Sequence, residues 1–92
     1  MKGGDIMVLS NSEIIRIYEN KMLKAVYNKM KNAHNSDQIL SYYRHAKIWL
    51  TNHRYVAKAC TKSRYEELNT QLISYKEKSL YELDMRMYKE NN

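Results

Sequence analysis

Proline is absent from this chain and glycine occurs only as the pair Gly3-Gly4. Turns built on Pro-Gly or Asn-Gly are therefore missing, which argues against hairpins and sheets. A single cysteine, Cys60, excludes an intrachain disulfide and suits a reducing compartment. No apolar run approaches the roughly 18 residues of a membrane span, and Ile6 to Leu9 is too short for the core of a signal peptide. A cytoplasmic protein with no membrane contact is expected. Phenylalanine is also absent, while tyrosine occurs nine times and Asn, Lys and Ile are frequent. That bias suits an AT-rich genome of phage or mobile-element type.

What remains is rich in Leu, Lys, Glu, Met, Arg and Ala, all of which favour helices. At 92 residues the chain is one domain, and a monomer of this size buries only about 60–65% of its unfolded surface. The fold class expected is all-α, an antiparallel three-helix bundle over residues 10–92 with a flexible segment, 1–9, before it. Ser10 to Glu13 reads as a capping box opening a helix over 11–33. Its apolar stripe is Ile14, Ile15, Tyr18, Met22, Ala25, Val26, Met30 and Ala33. Asn35 and Ser36 break that pattern, and a second helix follows over 37–59. A second capping box, Ser63 to Glu66, opens a third over 64–88, with a stripe of Tyr65, Leu68, Leu72, Tyr75, Leu80, Leu83 and Met87. Short junctions favour antiparallel neighbours.

The middle helix carries two stripes. Tyr42, Ala46, Trp49, His53, Val56 and Cys60 form an apolar one, with Ile39 and Leu50 on its flanks. Arg44, Lys47, Thr51, Arg54, Lys58 and then Lys62 form a basic one, roughly 160° round the helix. Thr51-Asn52 is its weak point, where a helix–turn–helix break is the alternative. Both stripes pass through it in phase, which favours a continuous helix. The core expected is Ile15, Tyr18, Met22, Val26, Met30, Ile39, Ala46, Trp49, Leu50, Val56, Leu68, Leu72, Leu80 and Leu83.

The net charge of +6 is unevenly placed. Residues 11–35 hold five basic residues against two acidic, residues 36–60 four against one, and residues 61–92 six against six. A cationic surface over the first two helices points to a polyanionic partner. The expected nucleic-acid contacts are Arg44, Lys47, Thr51, Asn52, Arg54, Tyr55, Lys58 and Lys62, helped by Lys24 and Lys31. Regular one-turn spacing lets such a row follow phosphates, Tyr55 can stack, and asparagine can read adenine. The alternative is an adaptor or inhibitor that docks a helical face on another protein and makes no nucleic-acid contact, because Tyr, Met and Arg are favoured at interfaces. Apolar residues off the main stripes, Ile14, Ile17, Tyr27, Ile73, Tyr81 and Tyr88, predict a homodimer through the first and third helices.

Catalytic chemistry has little to stand on. There is no phosphate-cradling glycine loop and no serine elbow. His45 and His53 are about 12 Å apart along a helix axis, too far for one ion, and the seven-residue step from His53 to Cys60 raises the same objection. A thiol at a helix C-terminus lacks the dipole that activates a nucleophile. The expectation is no enzyme, no metal and no cofactor.

Overall fold

A computed structural model of the chain describes residues 10–90. The expectation for residues 1–9 lies outside them. Three helices, and no strand among the described residues, make an all-α bundle: α1 (Asn11–Lys31), α2 (Ser36–Tyr55) and α3 (Lys62–Glu90). The order of contacts sets the arrangement. Along α1, Glu19 meets Arg64, Tyr27 stacks on Tyr75, and the Ala33 carbonyl just past the helix accepts from Arg86. Against α2 the order runs the other way, with Trp49 beside Tyr18 and Tyr42 near Lys29.

The helix ends follow local chemistry. Ser10 caps α1 as expected, with its hydroxyl on the Glu13 N–H and the Glu13 carboxylate on its own N–H. Asn35, rather than Ser36, caps α2, through Oδ1 to Gln38 N at 2.9 Å. Thr61 supplies the first-turn bond of α3, to Arg64 N, so that helix starts at Lys62 rather than at residue 64.

One boundary departs further from the sequence reading. The middle helix passes through Thr51-Asn52 without a break, but it stops at Tyr55 instead of residue 59. Val56 and Ala57 both donate to the Asn52 carbonyl, and Ala59 reaches back to that of His53. Lys58 closes this turn at φ 53°, in the left-handed region that glycine usually occupies. No glycine or proline marks the stop, so the stripes ran on past it. Val56 is consequently 75% exposed and is not a core residue.

The buried set is Leu23, Met30, Ala33, Ile39, Ala46, Leu50, Leu68, Leu72 and Leu83. Ile39 and Leu50 are at its centre, not on its flanks. Trp49 is half-buried, stacked on His53, with its indole N–H donated to the Tyr18 hydroxyl at 3.0 Å. In α1 the expected face is rotated by about one residue. Tyr18 and Ile14 are exposed, Ile15, Met22 and Val26 are half-buried, and Glu19 and Leu23 turn inward. The steps 19, 23, 26, 30 fit the helical period as well as the apolar ones do. The carboxylate at one of them hid the true face. In α3, Ser79 takes the buried position and Leu80 the half-buried one, for the same reason of phase.

Candidate functional site

The basic row on α2 is divided by the packing of α3. Lys47 is half-buried, and its ammonium donates to the Tyr65 hydroxyl at 3.1 Å and to Asn69 Oδ1. That bond pulls the Tyr65 phenol below its ordinary range. The Thr51 hydroxyl bonds back to the Lys47 carbonyl. Arg54 Nη1 donates to the Cys60 carbonyl at 2.9 Å, while its buried Nε has no hydrogen-bond partner among the described residues. Arg44, Asn52 and Tyr55 remain exposed on α2. Lys58 lies in the turn after it, and Lys62 opens α3.

Lys24 and Lys31 lie elsewhere, in a cleft of about 610 Å³ between α1 and α3 that Asn20, Tyr27, Arg64, Glu67, Gln71 and Tyr75 also line, with Glu67 paired to Arg64. Tyr27 and Tyr75 stack there at 4.2 Å between ring centroids and 11° between planes. The ammonium of Lys31 stands 4.8 Å from the Tyr27 centroid and that of Lys78 5.8 Å. The hydrogen bond to Tyr27 raises Lys78 above its ordinary range, so it stays charged. Among the described residues the ion pairs use Arg16, His53 and Arg64, and no lysine takes part in one. Glu82 acts on Lys78 electrostatically without closing to an ion pair. Tyr75 and Lys78 were missed in the sequence because both meet Tyr27, on a helix distant in the chain.

The second assembly is buried. Glu19 is 1% exposed and accepts from Arg64 Nε at 2.8 Å through Oε1, while Oε2 lies 2.5 Å from His53 Nε2. Arg64 also reaches Glu67 Oε1 at 2.6 Å and Asn20 Oδ1 at 3.2 Å. Its guanidinium holds the Glu67 carboxyl below the usual range. Cys60 completes the group. On an unbroken helix it would lie about 10 Å along the axis from His53. Because α2 stops at Tyr55 and the chain folds back, donor atoms of Glu19, His53 and Cys60 all come within 4.8 Å of one another. The expectation that their spacing keeps His53 and Cys60 apart is thus corrected. Burial, with the Glu19 charge, pushes the Cys60 thiol above its ordinary value, so it rests protonated at neutral pH. The signal available in the sequence was Glu19 itself, a charge on the period of Leu23, Val26 and Met30.

The residues expected at a dimer interface divide into separate groups. Ile14 and Ile17 are exposed near the start of α1, and Tyr81 and Tyr88 toward the end of α3. Tyr27 and Ile73 are half-buried within the bundle. No described helix is long and apolar enough to cross a membrane. No protein-family model matches the chain, and no curated protein and no solved structure matches it.

Proposed function

We propose that this chain is a small regulatory protein that binds nucleic acid electrostatically, through the lysine-lined cleft between α1 and α3. The observation that carries this reading is the placing of Lys31 and Lys78 against the Tyr27 ring, at a cleft that Lys24 also lines, with none of the three in an ion pair among the described residues. Ammonium groups that share one tyrosine ring and close no ion pair attract phosphates and release counterions when they bind them. The stacked tyrosines add hydroxyls and a ring edge for sugar or base. The row on α2 contributes less, because Lys47 and Arg54 are committed to α3 and to the turn.

Anisotropy of a labelled mixed-sequence duplex, and of a single-stranded RNA, tests this between about 50 and 300 mM salt. Each duplex phosphate that the cleft neutralises should add about −0.9 to the slope of log affinity against log salt. Replacing Lys24, Lys31 and Lys78 together by glutamine should weaken binding and flatten the slope, while Arg44→Gln should do so less. Absence of binding at low salt would end the proposal.

A protein-docking reading is favoured by Ile14, Ile17 and Tyr18, each 44–52% exposed on neighbouring turns of α1. Its simplest form is the homodimer, with successive helices of each copy antiparallel, as the opposed order of the α1–α2 contacts supports. Sedimentation equilibrium at micromolar concentration tests it: a mass of 11.1 kDa throughout removes self-association.

A further inference from the structure

We propose that Glu19, His53 and Cys60 form a binding site for a borderline-soft divalent cation of the zinc type. They come from α1, from the last turn of α2 and from the segment between α2 and α3, and their donor atoms lie within 4.8 Å of one another. A carboxylate oxygen, an imidazole nitrogen and a sulfur together make a donor set for Zn²⁺ or Co²⁺. Magnesium and calcium prefer oxygen alone.

The geometry needs little adjustment. Two ligands bound tetrahedrally at about 2.0–2.3 Å from one ion stand about 3.3–3.8 Å apart. Glu19 Oε2 and His53 Nε2, now 2.5 Å apart, would separate by roughly 1 Å. The widest pair would close by about the same amount. Arg64 Nε holds the other oxygen, Oε1, at 2.8 Å, the outer-shell support that orients a ligating carboxylate. A cleft of about 300 Å³, lined by Ile15, Glu19, Ala59, Cys60 and Arg64 among others, leads to the carboxylate and the sulfur. It is both the entry path and the place for a water as fourth ligand.

The Glu19–Arg64–His53 network alone accounts for the buried carboxylate and imidazole, but not for a thiol brought to the same point. Binding replaces protons in a balanced way. Sulfur gives its proton to solvent as the S–metal bond forms, and the imidazole takes up the metal at Nε2 with its proton on Nδ1. The guanidiniums of Arg54 and Arg64, which also act on the thiol, oppose a cation. The two anionic ligands, thiolate and carboxylate, neutralise the ion they hold. This inference is independent of the nucleic-acid reading.

The test titrates Co²⁺ into the full, metal-free chain under argon. The expected result is a thiolate-to-cobalt charge-transfer band in the near ultraviolet, saturating at one ion per chain and abolished by Zn²⁺. Cys60→Ser changes one atom at a half-buried position and should keep the helical circular dichroism while losing the band. His53→Gln and Glu19→Gln should each weaken Co²⁺ binding about tenfold or more. No band in the wild-type chain overturns the proposal, and so does a band whose titration is unmoved in a folded Glu19→Gln or His53→Gln protein.

Discussion

Replacing Glu19 by alanine removes a carboxylate that joins three structural elements. Its two oxygens serve Arg64 Nε at 2.8 Å and His53 Nε2 at 2.5 Å, and the group is 1% exposed. After truncation a guanidinium only 17% exposed keeps Glu67 and Asn20 but loses its buried counter-charge. Breaking a buried pair from one side costs about 3–5 kcal/mol. The surviving Arg64–Glu67 bond places this case near the lower limit, about 3 kcal/mol. Domains of this size have about 5–15 kcal/mol in total, so the variant should remain folded but fragile. At about 4–8 °C per kcal/mol, the thermal midpoint should drop by roughly 12–24 °C. Trp49, the only tryptophan, stacks on His53 and reports the site directly by fluorescence during urea unfolding. A second variant, Glu19→Met with His53→Leu and Arg64→Met, removes all three polar partners. It should recover most of the loss, because apolar replacement of a complete buried network is often near neutral. A Glu19→Ala protein within about 0.5 kcal/mol of wild type, the range of ordinary surface substitutions, would refute the claim that this network fastens the bundle.

Two further outcomes follow from the packing and the charges. Leu50→Ala, at a fully buried position, should cost about 2–5 kcal/mol by denaturant unfolding, whereas Val56→Ala should stay within about 0.5 kcal/mol; similar losses at both would restore a longer α2. The carboxyls of Glu13 and Glu67 sit below their ordinary 4.5, held by Ser10 and by Arg64 respectively. Their contribution is complete above pH 4.5 and is lost as pH falls through the lowered folded values, so the thermal midpoint should decline on acidification and Glu67→Gln should flatten that decline.

Helix number, the capping box at Ser10, and the membership of Met30, Ile39, Ala46, Leu50, Leu68, Leu72 and Leu83 in the core were all legible in the residues, because period and capping are local properties of a chain. Three things were not. The stop at Tyr55 has no glycine or proline to announce it, and rests on carbonyls of Asn52 and His53 that accept from the turn. The true face of α1 was concealed because Glu19 is tolerated in the core only with Arg64 and His53 beside it, residues 45 and 34 positions away. The cationic row was regular in sequence, yet Lys47 and Arg54 turn out to face hydrogen-bond acceptors on α3 and in the turn, while Lys31 and Lys78 stand at the same Tyr27 ring. Local period decides which residues share a helix face. Which face is buried, and which charges stay free, depends on partners that only tertiary packing brings within hydrogen-bond reach.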